Sequence, residues 1–210
     1  VVKAVLFDFD GTLADSYHAI AASVNHVRAH YGLVPLAVDE VKRHVGRGMP
    51  RLLKLTVPGH DPQADAERYR AHHPSVLRSG TTLLPDVEEV LERLDTAGVA
   101  LAVCSNKPRE FTAQLLEILG IAGRFDLVLG PEDVARPKPA PDMLLAGLRR
   151  LDVPADRALY VGDMVVDIET ARAAGISVWV IPTGSDTRAA LEAAHPDRLL
   201  QRFGELTELV

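Results

Sequence analysis

Near its start the chain runs an apolar strand directly into a pair of aspartates. Val1-Val2-Lys3-Ala4-Val5-Leu6-Phe7 is apolar and contains β-branched residues, the pattern of a buried strand. It passes into Asp8-Phe9-Asp10-Gly11-Thr12-Leu13-Ala14-Asp15. Two carboxylates therefore stand two residues apart at the C-terminal end of a strand, ahead of a glycine turn. Open α/β sheets bind their ligands at that end. Carboxylates are costly to bury without a cation or a proton, so the pair asks for a metal or for chemistry.

The rest of the chain repeats the rhythm that this first strand begins. Strand patterns fall at Ala4–Phe7, Ala100–Cys104, Leu127–Leu129, Ala158–Val161 and Ser177–Ile181, with a weaker one near Arg198–Leu200. Helical patterns lie between them at Asp86–Ala97, Arg109–Leu119, Pro141–Leu151, Val166–Ala174 and Thr187–Ala194. Short strands alternating with helices predict βαβ units and a parallel, Rossmann-like α/β sheet. The 210 residues suit one such domain with a smaller one inserted.

Residues 16–80 break the rhythm. They carry helical patterns at Ser16–Tyr31, Asp39–His44, Pro50–Thr56 and Gln63–Leu77, and no strand. The stretch is far longer than a crossover between parallel strands requires. It reads as an α-helical cap hinged near Ala14–Ser16 and Ser79–Pro85. The expected division is 1–15 core, 16–80 cap and 81–210 core. A single larger domain with long helices on one face is the plainer alternative.

Composition narrows the function. A net charge of −6 argues against non-specific nucleic-acid binding. No apolar stretch reaches membrane-spanning length, and the N-terminus opens a core strand where a signal peptide would stand. The single Cys104 forbids an intrachain disulfide and fits a reducing, cytoplasmic setting.

Other reactive residues follow other strands. Ser105-Asn106-Lys107 comes after Leu101–Cys104, Lys138 lies in Ala135-Arg136-Pro137-Lys138-Pro139, and Asp163 and Asp167 follow Tyr160-Val161-Gly162. Parallel strands share one C-terminal edge, so these groups are expected to converge with Asp8 and Asp10. Singly each has a plain reading: an Asx turn, a helix N-cap, an exposed loop lysine. Together they suit phosphoryl transfer, which needs positioning and neutralisation of developing negative charge. A hydroxyl and backbone N–H groups hold phosphate oxygens, a lysine neutralises them, and clustered carboxylates suit Mg²⁺. One aspartate can attack phosphorus, and a second can protonate the leaving oxygen and then activate water.

In this order the residues resemble the four motifs of the haloacid dehalogenase superfamily. Asp8-Phe9-Asp10-Gly11-Thr12 resembles the first, Ser105-Asn106 the second, Lys138 the third, and Gly162-Asp163 with Asp167 the fourth. The resemblance implies Asp8 as nucleophile and Mg²⁺ ligand. It implies Asp10 as general acid and base, with its backbone carbonyl on the metal, and Thr12 as support for the Asp10 loop. Ser105 and the backbone of Asn106 would hold the phosphoryl group, and Lys138 would bridge it to Asp8. Asp163 would ligate Mg²⁺ directly; Asp167 would do so through water or would orient Lys138. A carboxylate at position 10 favours a phosphate ester over the halide substrates of dehalogenating relatives.

Within the superfamily the chain is most similar to phosphoglycolate phosphatases, through Asp8–Ser16, Val45-Gly46-Arg47-Gly48, Ser105-Asn106-Lys107-Pro108 and Arg136-Pro137-Lys138-Pro139. Arg47, between two glycines, is the candidate cap residue for a substrate carboxylate; an exposed turn arginine is the alternative. Met164-Val165-Val166 and Pro182-Thr183-Gly184-Ser185 depart from that subfamily. His18 is similar to a hinge histidine of β-phosphoglucomutase-like relatives. The expected partner is a small phosphate ester, with no nucleic acid or membrane, in a monomer or homodimer. The apolar face of Ala19–Val27 serves either core packing or a dimer contact. Mutase or pyrophosphatase activity on the same scaffold is the enzymatic alternative, and a non-catalytic regulatory relative the other.

Overall fold

The computed structural model describes residues 1–59 and 61–210. Its strands are β1 (Ala4–Phe7), β2 (Ala14–Asp15), β3 (Thr82–Leu83), β4 (Ala100–Cys104), β5 (Leu127–Leu129), β6 (Ala158–Gly162), β7 (Ser177–Val180) and β8 (Arg198–Leu199). Its α-helices are α1 (Tyr17–His30), α2 (Val38–Lys42), α3 (Met49–Thr56), α4 (Pro62–His72), α5 (Val87–Thr96), α6 (Arg109–Ile118), α7 (Asp142–Leu151), α8 (Val165–Ala174) and α9 (Arg188–Ala193).

Six strands form one sheet in the order β5-β4-β1-β6-β7-β8, and every pairing in it is parallel. Side chains alternate across a strand, so each strand feeds two cores. Val5 and Phe7 pack on the face covered by α5 and α6, with Val90, Leu91, Phe111 and Leu115. Ala4 and Leu6 pack on the opposite face with Met143 and Leu144 of α7 and Ile168 and Ala171 of α8. Burial on both faces explains why β1 reads as a continuous apolar run.

The chain leaves β1 for β4 and β5 on one side and returns to β6, β7 and β8 on the other. β1 therefore stands where the strand order reverses, the place at which such sheets open a crevice. Register completes the placement. Phe7 pairs with Val103 on one side and Val161 on the other, so Asp8, Ser105 and Asp163 leave the sheet along one edge.

Helices α1 to α4 lie between β2 and β3, which pair antiparallel through Ala14–Leu83 and Asp15–Thr82. The two connections out of the sheet thus form a two-stranded ribbon. Strands of two residues carry no readable period, and the sequence gives no sign of them. The expected helix over Gln63–Leu77 stops at His72 and continues as a 3₁₀ turn over His73–Ser75. Pro74 causes the break, since it lacks the N–H that would extend the α-helix. The apolar face of α1 is buried within the chain: Ala19, Ile20, Val24 and Val27 are covered where α1 packs on α2 and α4. Among the described residues no helix is long and apolar enough to cross a membrane.

Candidate active site

Asp8 is the first residue beyond β1, and it is almost fully buried. Its Oδ1 accepts from the Phe9 N–H at 2.8 Å, and its Oδ2 lies 2.9 Å from Lys138 Nζ. Lys138 comes from the loop between β5 and α7. It also donates to Asp167 Oδ1 at 2.7 Å and to the Tyr160 hydroxyl at 3.0 Å. The tyrosine passes its own hydrogen to the Cys104 carbonyl at 2.9 Å. An ammonium has three hydrogens, and here three acceptors take them, which fixes Nζ beside Asp8. Burial alone would lower the Lys138 pKa, but Asp167 and Asp8 outweigh it and raise it, so the side chain stays charged.

Asp167 has both oxygens engaged. Oδ1 takes Lys138, and Oδ2 accepts from the backbone N–H groups of Asp163 at 3.1 Å and Met164 at 3.0 Å. It orients the lysine and the turn after β6. Thr12 ties the turn that carries Asp10 to the loop after β6. Its hydroxyl donates to Asp163 Oδ1 at 2.6 Å, because the turn after β1 folds against the loop after β6. Asp163 Oδ2 is buried without a partner. Gly11 makes room for it: a Cβ there would stand 2.5 Å from that oxygen and 2.4 Å from the Tyr17 hydroxyl, and φ is +87°.

Asp8, Asp163 and Asp167 each offer an oxygen within 4.8 Å of the others. Burial, with the charges of Asp167 and Asp8, holds the Asp163 carboxyl well above the usual carboxylate range. Asp167 is raised as well by burial, partly offset by Lys138. Three carboxylates face one ammonium, so full ionisation leaves two negative charges unbalanced. An all-oxygen donor set, an orphaned oxygen and that charge deficit fit one hard divalent cation.

Asp10 turns away from this cluster. Its carboxylate accepts a short hydrogen bond from Ser16 and pairs with Lys107 Nζ at 3.0 Å. Its side chain is therefore outside the metal-competent group, which leaves it free of the acidic cluster for the acid–base role expected of it. Lys107 was missed as a site residue, although it directly follows the Ser105-Asn106 pair. Tyr160 was missed too; inside a strand pattern nothing marks its hydroxyl.

A cavity of about 40 Å³ opens on these groups. Asp8, Asp10, Ser105, Asn106 and Lys107 line it together with the apolar Ile20, Val45, Leu52 and Phe111. Ser105 Oγ accepts from the Lys107 N–H at 3.2 Å and keeps its own hydrogen to donate. The Asn106 side chain ties three segments together. It donates to the carbonyls of Gly46 and Lys138, each at 3.1 Å, and accepts from the Lys138 N–H at 3.0 Å.

Two further residues singled out in the sequence stand outside this cavity. Arg47 does not line this cavity: its guanidinium is half exposed and faces Glu169 at 3.8 Å. The flanking glycines instead bring backbone to the site, through the Gly46 carbonyl on Asn106. His18 is exposed on α1 and also stands outside the cavity. Cys104 is an inert buried thiol, its pKa pushed up to about 12 chiefly by burial.

The sequence pattern of the haloacid dehalogenase-like hydrolases matches residues 5–181. The chain belongs to that family. Among curated relatives of this hydrolase, a phosphoglycolate phosphatase of Pectobacterium atrosepticum is 33% identical over 216 residues, covering 100% of this chain and 92% of its own. One of Rhodospirillum rubrum is 37% identical over 193 residues, covering 87% of this chain and 80% of its own. In structure the hydrolase is similar to a predicted phosphoglycolate phosphatase of Haemophilus somnus, with a TM-score of 0.92 and 26% identity. That likeness covers 99% of this chain and 97% of the other.

Proposed function

We propose that this hydrolase is a Mg²⁺-dependent phosphomonoesterase acting on phosphoglycolate, through an aspartyl-phosphate on Asp8. The observation that carries the reading is the setting of Asp8: a buried carboxylate, pinned by Lys138 and the Phe9 N–H, beside a cavity that also holds Asp10. Asp8 and Asp163, with the Asp10 backbone carbonyl, would hold the cation. Mg²⁺, when bound, would supply positive charge to the phosphoryl oxygens and to the aspartates. Asp8 attacks phosphorus, and the bond to the leaving oxygen breaks. Asp10 gives that oxygen a proton, and afterwards takes one from the water that cleaves the acyl phosphate. Ser105 and the backbone of Asn106 hold the phosphoryl oxygens, and Lys138 neutralises them.

We read residues 16–80 as a cap over the core segments 1–15 and 81–210. Closure by such a cap keeps water from the first step. The phosphoglycolate phosphatases among the relatives support phosphoglycolate as the substrate. A reducing, cytoplasmic setting agrees with a single, buried cysteine.

Phosphate release from phosphoglycolate, β-glucose 1-phosphate and pyrophosphate, with Mg²⁺ and with EDTA, tests the reading. Metal-dependent release, strongest with phosphoglycolate and lost in Asp8→Asn, is expected. Strongest release from pyrophosphate, or conversion of the sugar phosphate to its 6-phosphate, would replace it with one of the rival activities.

A further inference from the structure

The cavity wall holds a polar group that the mechanism above does not use. His73 begins the 3₁₀ turn after α4, lines the cavity, and is wholly buried. Its ring stacks on Tyr69 at 4.8 Å between centroids and meets the edge of Phe111, also at 4.8 Å. Its Nδ1 lies 2.8 Å from Ser23 Oγ on α1, and that hydroxyl also lies 3.2 Å from His72 Nδ1. Nε2 is buried with no partner. Burial, with Lys107 and His72 nearby, lowers the His73 pKa to about 2, so the ring is neutral.

An imidazole clamped on both sides and tethered at one nitrogen is expensive to build with the other nitrogen unpaired. Much of the cavity wall around it is apolar: Ile20, Val45, Leu52 and Phe111 offer no hydrogen bond. The two lysines near the site are already committed, Lys107 to Asp10 and Lys138 to Asp8 and Asp167. A ligand oxygen beyond the ester carbon would find a partner in His73.

We infer that His73 is a specificity-determining residue, whose Nε2 hydrogen bonds an oxygen at the far end of a short leaving group. Ser23 is its positioning residue, holding Nδ1 and with it the ring. The inference rests on the phosphatase reading and names how that site separates oxygen-bearing leaving groups from plain alkyl ones. A pocket that hydrogen bonds its ligand rejects analogues lacking the partner atom, because its own polar group is left unpaired.

The test compares phosphoglycolate with ethyl phosphate, which has the same two carbons and no distal oxygen. In His73→Phe, kcat/KM for phosphoglycolate should fall about tenfold or more relative to ethyl phosphate. The change should appear mainly as a higher KM. His73→Gln, which keeps a polar end, should restore part of the ratio, and Ser23→Ala should lower it by a smaller factor. Circular dichroism and Tm establish that each variant is folded. Calorimetric binding of both esters to Asp8→Asn, with and without His73→Phe, reads the same preference without turnover. A ratio unchanged by His73→Phe and by Ser23→Ala overturns the role of His73. A wild-type enzyme that cleaves no ester overturns the phosphatase reading alone if His73-dependent binding persists. Absence of any binding overturns both.

Discussion

Lys107 Nζ lies 3.0 Å from Asp10 Oδ1, and neither side chain is more than slightly exposed. The lysine follows the strand next to β1, so the pair crosses from one motif to another within the same crevice. Ser16, at the exit to α1, shares the Asp10 carboxylate. The residue assigned to acid–base work is thus held by one group from the core and one from the hinge. Ser16 immediately precedes α1, so the Asp10 carboxylate is tied to the start of the helical segment.

Lys107→Met removes the core half of that grip. Breaking a mostly buried ion pair from one side costs about 3 kcal/mol, since the other charge loses its partner. Urea denaturation should show that loss. kcat for phosphoglycolate should fall more than KM rises, because Asp10 is needed for transfer more than for binding. A stable, fully active Lys107→Met enzyme would remove the lysine from the site.

Lys138→Met should abolish turnover and destabilise the fold by roughly 3 to 5 kcal/mol, since Asp8 and Asp167 are both left without their cation. Adding Asp167→Asn should restore part of the stability and none of the activity. Denaturation midpoints of the single and double variants, with phosphate release for each, check the two halves separately.

The residues at the ends of β1, β4 and β6 were legible because strand, turn and carboxylate stand in fixed register along the chain. Asp8, Ser105 and Asp163 needed only the rule that parallel strands end together. Side-chain direction was not legible. Gly46 and Gly48 mark a close backbone approach, yet it is the Gly46 carbonyl that reaches Asn106, while Arg47 points outward. The Thr12 hydroxyl donates to Asp163, a contact that spans 151 positions. The pairing of β2 with β3 involves two residues on each side, below the length at which alternation can be read.

Asp163 is expected to link pH to metal binding. Its folded-state pKa lies well above the 3.8 of the free group, through burial and the neighbouring Asp167 and Asp8. A carboxyl of that kind contributes stability in its protonated form below its unfolded pKa, and that contribution is lost as pH rises through the folded value. Metal-free protein should therefore lose stability as the pH rises from acid through that window. Mg²⁺ requires the carboxylate, so its stabilising effect should grow with pH and its binding should release protons. Tm across pH with Mg²⁺ and with EDTA measures the first effect, and calorimetry in two buffers the second. In Asp163→Asn the Mg²⁺-dependent rise in Tm should vanish, while the metal-free Tm should rise.

Arg47→Ala separates the cavity from its rim. The guanidinium and the Glu169 carboxylate are 3.8 Å apart and about half exposed, a geometry in which an ion pair contributes about 0 to 1 kcal/mol. The side chain is absent from the cavity beside Asp8. KM for phosphoglycolate should therefore change by less than about threefold, and no more than it changes for ethyl phosphate. A selective rise of tenfold or more for phosphoglycolate would show that Arg47 turns inward when substrate binds. The clamp for the distal oxygen would then lie on the loop between α2 and α3 in place of His73.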